Sequence, residues 1–278
     1  MSVRIVVDST ADLSKTCKDR VTVVPLTVHF GETEYLDGID ITPEQFYKKL
    51  VSSTELPSTS QATPYVFSEV FEEAVEAGDT VVALVVSSGL SGTYQSARIA
   101  AQEYPGKVFV VDTLQIAISL GIMVQYALEL ADRGMDARQI AEELTRVRSK
   151  VHLLAVVDTL EYLHKGGRVS KAVAIAGGLL SIKPLIGLNG EGKIEMIGKA
   201  RGNKQANTMM NKKVMELDID LSMPVMLGYT GTEDTLLQKY IQESSPFLEN
   251  CRYDRNIVSA VVGTHAGPNA VAIAFFSR

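Results

Sequence analysis

Thr80-Val81-Val82-Ala83-Leu84-Val85-Val86-Ser87-Ser88-Gly89-Leu90-Ser91-Gly92-Thr93-Tyr94 decides the fold. Thr80 to Val86 is apolar without a polar alternate. A strand of that kind is covered on both faces, which is the condition of a parallel sheet. Ser87 to Gly92 supplies turn residues, and Gly92 to Tyr104 reads as a helix.

The same rhythm extends outward in both directions. Val3 to Val7 is an apolar run ending at Asp8-Ser9-Thr10. Val21 to Phe30 is a second β-rich run, in which Pro25 marks an edge or bend. Thr42-Pro43-Glu44-Gln45 has the residues of a capping box with proline at the first helical position, opening a helix to about Ser52. Thr63-Pro64 opens another, to Gly78. Lys107 to Val111 reads as a strand and Leu114 to Arg133 as a long apolar-faced helix stopped by Gly134. Asp136 with Gln139 caps a further helix, to about Lys150. Alternating short strands and helices specify a sheet with helices on both faces. Asp8-Ser9-Thr10, Ser87-Ser88-Gly89 and Asp112-Thr113 then stop at one sheet edge, where open α/β sheets bind ligands.

The last third changes rhythm. Strand-like runs are Val151 to Val157, Ile194 to Ile197, Pro224 to Tyr229, Ile257 to Val262 and Val271 to Phe276. Helices fit Lys204 to Leu217 and Glu233 to Glu243. Strands in runs with interposed helices indicate an α+β unit with a mostly antiparallel sheet. At 278 residues the chain exceeds what one core usually organises. The expected division is a parallel Rossmann-like α/β domain over 1–150 and an α+β domain over 151–278.

Composition narrows the function. With 46% hydrophobic and 22% charged residues, the chain carries enough apolar material for true cores. A net charge of −6 argues against nucleic acid as the main partner. Cys17 and Cys251 form no disulfide framework or metal spacing, and free thiols suit a reducing compartment. The first residues read as a strand and not as a signal peptide. The longest apolar stretch, Val173 to Ile182, is too short to span a bilayer and is interrupted by Gly177 and Gly178. A soluble, cytoplasmic protein is expected.

Five places could carry chemistry. Ser87 to Ser96 joins a strand to a helix, and its hydroxyls and free N–H groups can hold an anion. It lacks the Gly-Lys-Ser/Thr of a phosphate-binding loop and the spacing of a Gly-x-Ser-x-Gly nucleophile elbow. Pro57 to Pro64 reads as a polar loop with Thr63 as a helix cap. Gly263-Thr264-His265-Ala266-Gly267-Pro268 reads as a glycine-rich loop after a strand. There His265 is a suitable donor to a carboxylate, near its own switching pH. His29, His152 and His164 lie in or beside apolar elements and read as structural. Glu161 to Lys171 gathers basic charge beside Gly166 and Gly167, either as a helix C-cap or as a rim for an anion or protein. Arg201 is a further cation between short elements. Ile116 to Val124 and Ala172 to Ile182 mix bulky and small apolar residues, which make ordinary core or leave room for a guest chain.

Taken in order, these motifs resemble one family. Asp8-Ser9-Thr10-Ala11-Asp12-Leu13, Thr59-Ser60-Gln61, Leu90-Ser91-Gly92-Thr93-Tyr94-Gln95-Ser96-Ala97, Asp158-Thr159-Leu160-Glu161-Tyr162-Leu163, Gly166-Gly167-Arg168, Lys183-Pro184, Arg201-Gly202 and Gly263-Thr264-His265-Ala266-Gly267-Pro268 are similar to the DegV family of bacterial fatty-acid-binding proteins. The resemblance implies a long-chain fatty acid buried between two α/β domains, with no cofactor. It implies that a separate ATP-dependent fatty acid kinase phosphorylates the carboxyl group, and that the acyl phosphate enters phospholipid synthesis. On the matching positions, Thr59 and Ser91 hold the carboxylate, His265 completes the network and Arg201 lies nearby. Ser60, Gly92 and Thr93 belong to the same ligand-binding motifs, and Arg168 lies where the kinase docks. Ala62-Thr63 stands where Pro-Ser is usual, and Ala266 where Thr is frequent. These departures bear on chain length and partner fit. The chain itself is expected to be a non-catalytic carrier without metal, monomeric and not inserted in membrane. The rival readings are an acyl hydrolase with Ser91 as nucleophile and His265 as base, and a nucleotide- or sugar-phosphate-binding module.

Overall fold

The computed structural model describes residues 2–171, 181–249 and 251–278. Strands β1 (Val3–Asp8), β2 (Val21–Val24), β6 (Thr80–Val85) and β7 (Val108–Asp112) form a parallel sheet in the order β2-β1-β6-β7. Their polar C-terminal ends meet at one edge, as the spacing predicts. Asp8 Oδ2 there accepts the Val86 N–H at 2.6 Å, Asp112 accepts the Ser88 N–H at 3.0 Å, and the Thr113 hydroxyl donates to the Val85 carbonyl at 2.7 Å.

The run Val21 to Phe30 does not stay in that sheet. It breaks at Pro25, and β3 (Thr27–Phe30) joins β4 (Thr33–Leu36) and β5 (Ser58–Ser60) in a small antiparallel sheet. Pro57 to Pro64 is therefore not wholly loop, because Thr59 pairs with Val28 across β5. Helices α1 (Pro43–Ser52), α2 (Pro64–Glu76), α3 (Thr93–Ala101), α4 (Ala117–Asp132) and α5 (Ala137–Val147) follow the expected positions. Thr42–Gln45 and Asp136–Gln139 close reciprocal capping boxes. Thr63 occupies the cap position of α2 without a side-chain capping bond.

The second sheet has six strands: β8 (Val151–Val156), β9 (Ile182–Leu188), β10 (Ile194–Arg201), β11 (Val225–Tyr229), β12 (Tyr253–Ile257) and β13 (Val271–Phe276). Their order is β10-β9-β8-β13-β11-β12, and every pairing is antiparallel except β11 with β12. Side chains alternate between its two faces. Leu154, Val156, Val271, Ile273 and Phe275 pack into one core, beneath α7 (Gly202–Glu216) and α8 (Thr235–Glu243). Leu153, Ala155, Ala272, Ala274 and Phe276 face the other, which they share with the parallel sheet.

Helix α4 lies between the sheets. Ala117 to Val124 is buried without a break, so this helix is apolar all round, which is what a helix packed on two sides requires. Its Gly121 has no room for a Cβ, which would sit 2.2 Å from the Asp12 carbonyl. Residues 172–180, most of the second small-and-bulky stretch, lie outside the described residues. No described helix is long and apolar enough to cross a membrane.

A further expectation is overturned. Ile257 to Val262 is not a single strand, because β12 ends at Ile257 and a short helix, Ala260–Ala266, follows. His265 therefore rides the last turn of a helix and not a loop. Another short helix, α6 (Glu161–Lys165), packs against it.

Candidate functional site

A cavity of about 390 Å³ opens where β1, β5 and β6 meet the second sheet, within the size range of small-molecule sites. Its walls are mostly apolar. Leu153, Ala155 and Val157 come from β8 and its end, Ala270 and Ala272 from β13 and its approach, and Ile116 to Ile118 from the start of α4. The floor is low because small residues align across the strands. Ala155 pairs with Ala272. The hairpin β9–β10 contributes Ile186 and Ile194, and its turn is fastened by the Ser87 hydroxyl donating to the Gly192 carbonyl at 2.8 Å.

Polar groups gather at one end through an unbroken chain of neighbours. Thr59 Oγ1 lies 2.9 Å from His265 Nε2. The His265 ring lies against Gly166, where an added Cβ would meet Nδ1 at 2.2 Å. Arg168 Nη1 donates to the Gly166 carbonyl and its Nε to the Leu90 carbonyl at 3.2 Å. Ser91 follows Leu90, and Gly92 leaves space for the Gln61 carboxamide, which a Cβ would strike at 2.0 Å. Gln61 leads back to Thr59 along the chain.

The sequence-predicted residues separate on this geometry. Thr59, Ser60, Ser91, Gly92, Arg168 and His265 line the cavity. Ser60 is exposed, and its hydroxyl is engaged by His29 Nε2 at 2.7 Å. Thr93 is fully buried behind the wall; its Oγ1 lies 2.9 Å from Ser91 Oγ and its N–H donates to that oxygen at 3.2 Å, so it orients Ser91. Arg201 is exposed at the far end of β10, roughly 20 Å along the strand from Ile194, and contributes nothing to the cavity wall. Gly166 and Gln61 complete the polar end. Their only sequence signal is membership of the quoted motifs.

His265 does not titrate near neutrality. Burial, with the charge of Arg168 adding to it, lowers it to about 4. Its Nδ1 is buried without a partner among the described residues. A proton left there would be unsatisfied, so the neutral tautomer carries it on Nε2 and donates to Thr59. Thr59 then has its own proton free for a ligand. Burial also lowers Arg168, though a guanidinium stays charged, and no carboxylate pairs with it among the described residues. The Arg168 charge and the Thr59 and Ser91 hydroxyls thus lie together on the cavity wall, a set of groups suited to an anion.

Two results are expected here. The unfolded chain protonates His265 below about 6.5, whereas the folded site resists protonation down to about 4. The stability it contributes is present above about 6.5 and is lost as pH falls through that window. Unfolding free energies from urea melts of wild type should fall relative to His265→Gln between these values, by at most roughly 3 kcal/mol. Separately, Gly166→Ala suits the local backbone but displaces the imidazole. It should weaken binding of a carboxylate ligand roughly tenfold or more with little change in melting temperature, measured by calorimetry and a thermal melt.

The arrangement does not make a hydrolase pair. Ser91 Oγ is bonded to Thr93, and His265 Nε2 to Thr59. A neutral imidazole of such low basicity, already engaged, is a poor general base.

Comparison with known proteins gives one consistent result. The family described as uncharacterised protein, DegV family, matches residues 2–278. A DegV domain-containing protein of Deinococcus radiodurans is 37% identical over 278 residues, covering 99% of this chain and 98% of its own length. A fatty-acid-binding DegV family protein from Thermus thermophilus has the same fold with a TM-score of 0.89 at 35% identity, each chain covered to 100%. A stearic-acid-binding protein from Eubacterium ventriosum gives a TM-score of 0.87 at 27% identity, covering 100% of this chain and 98% of that one.

Proposed function

The chain belongs to the DegV family, and on that premise we propose that it buries a long-chain fatty acid and presents the carboxylate to a separate ATP-dependent fatty acid kinase. The observation that carries this reading is the asymmetry of the cavity: apolar walls over a floor of alanines, and one end holding the Thr59–His265 pair beside an Arg168 with no carboxylate partner among the described residues. Each buried methylene of the acyl chain contributes about 0.8 kcal/mol. The carboxylate is costly to bury unless hydrogen-bonded, and Thr59, Ser91 and Arg168 supply donors for it.

The likeness to fatty-acid-binding proteins supports the cargo. Phosphoryl transfer follows from the chemistry of the head group. A carboxylate oxygen attacks the terminal phosphorus of ATP, the bond to ADP breaks, and an acyl phosphate forms on the bound chain. Donors on one side of the head group leave the other oxygen able to react, and the kinase brings the nucleotide and its metal. The acyl phosphate then supplies phospholipid synthesis. The protein works in the cytoplasm as a monomeric carrier, with residues 1–150 and 151–278 as the two domains that enclose the lipid.

Calorimetry with palmitate and oleate tests the cargo. Saturable one-to-one binding is expected, with no heat from nucleotides or sugar phosphates and no ester turnover. Arg168 tests the partner. It lines the cavity and is half-buried, and the docking role belongs to the same proposal. Arg168→Ala protein saturated with fatty acid should yield acyl phosphate roughly tenfold more slowly with kinase and ATP. Equal rates at saturation would remove the docking role.

A further inference from the structure

Helix α9 (Ala260–Ala266), which carries His265, is held at its start by two acids distant in sequence. The Ser259 N–H donates to Asp12 Oδ1 at 2.8 Å. The Ala260 and Val261 N–H groups donate to Asp37 Oδ1 and Oδ2 at 3.1 and 3.3 Å. The first N–H groups of a helix have no partner within it, and a local side chain usually caps them. Ser259 occupies the cap position but makes no capping bond. The work falls instead to carboxylates that are 5% and 3% exposed. Acids so buried are expensive, so this arrangement has to be compensated by what it fixes.

What it fixes is the setting of the helix against the cavity. The Tyr47 hydroxyl donates to the Val258 carbonyl at 3.0 Å, and Gly263 is pressed so closely on Phe46 and Tyr47 that a Cβ would lie 2.5 Å from the Tyr47 oxygen. Val261 and His265 are four residues apart and share a helix face. A slip of one residue would move His265 by about 1.5 Å and turn it by about 100°, breaking its 2.9 Å contact with Thr59. The acids are themselves tied to the cavity. Asp12 lies two residues after Thr10, which lines it, and the Asp37 N–H donates to the carbonyl of Leu26, which also lines it.

We propose that Asp12 and Asp37 are positioning residues, which clamp the N-terminus of the His265 helix and so aim Nε2 at Thr59, whose hydroxyl is thereby turned toward the ligand's carboxylate. The proposal rests on the fatty-acid reading and deepens it. Burial, with the neighbouring Asp37 adding to it, raises Asp12 to about 8, so Asp12 is mostly protonated at neutral pH. Asparagine then reproduces both its shape and its bond to Ser259, whereas alanine does not.

The experiment compares wild type, Asp12→Ala, Asp12→Asn, Asp37→Ala and Asp37→Asn. Each is titrated with palmitate and with hexadecanol, which has the chain without the carboxylate, by displacement of a fluorescent fatty acid. The His265 imidazole is followed in parallel by nitrogen NMR. Expected is a loss of roughly tenfold in palmitate affinity for the alanine variants, hexadecanol affinity within about twofold, and a shifted Nε2 resonance. Asp12→Asn should restore both palmitate affinity and resonance. Equal loss for palmitate and hexadecanol, or an unmoved resonance in folded Asp37→Ala protein, overturns the proposal. If Asp37→Ala fails to fold, Asp37→Asn, which keeps one of the two bonds, is read by the same criteria. Absence of palmitate binding in wild type would instead overturn the fatty-acid reading, and the Nε2 resonance alone would then decide whether the acids place His265.

Discussion

Removing both hydroxyls at the polar end, in Thr59→Ala/Ser91→Ala protein, should lower long-chain fatty-acid affinity by roughly 100-fold to 10,000-fold. Hydrogen bonds to a charged group contribute about 1.5–3 kcal/mol each, and two are lost. The loss should be confined to the acid. A methyl ester of the same chain makes weaker use of these donors and should change little. The fold should survive, because Thr59 is only half buried on a short edge strand and Ser91 sits in a turn. Calorimetry with acid and ester on the same preparation distinguishes the outcomes. An equal fall for both would mean that the cavity had collapsed, and no fall for the acid would place the carboxylate elsewhere.

The second large effect is expected at the opposite end of the chemistry. Ala272 lies in register with Ala155, and the two form the floor over which an acyl chain can lie. Ala272→Leu adds three carbons to the cavity side of β13. A guest that fills the cavity must withdraw about three methylenes, at about 0.8 kcal/mol each, or roughly 50-fold to 100-fold in affinity. Chains shorter by three or four carbons should be held almost as before. The preference of the protein should thus move toward shorter acids, read by competition among acids of graded length. A uniform loss at every length would assign Ala272 to packing alone.

The parallel sheet is legible because its strands are buried on both faces, so Val81 to Val86 needs no partner to be read as a strand. The capping boxes at Thr42 and Asp136 are legible because both partners lie within one turn. Where the fold departs from the sequence reading, the cause is a distant residue. Ser58-Thr59-Ser60 has no apolar alternation and becomes a strand only because β3 lies beside it. Val258 to Val262 has the β-branched content of a strand, yet Asp12 and Asp37, more than two hundred residues away, supply the bonds that start a helix there. The lowered basicity of His265 has the same origin, since burial and Arg168 exist only in the folded molecule.

The site is divided in the same way. Thr59, Ser91 and His265 stand in motifs with hydroxyl, glycine and imidazole signals. Arg168 carries an obvious charge, but its position on the cavity wall depends on the Leu90 and Gly166 carbonyls that hold it. Gly166 is meaningful only against the imidazole it accommodates. The alanine floor does leave a trace, in the strict alternation Ala270-Val271-Ala272-Ile273-Ala274. That pattern places small residues on the cavity face and bulky ones on the other.

The central claim is that the cavity holds a fatty acid by its carboxylate. Denaturing mass spectrometry of an organic extract of the purified protein tests it most directly. A near-stoichiometric acid of roughly fourteen to eighteen carbons is expected, each buried methylene adding about 0.8 kcal/mol, and it should be missing from Thr59→Ala/Ser91→Ala protein. An extract free of lipid, from protein that also stays empty after incubation with palmitate and oleate, would contradict it.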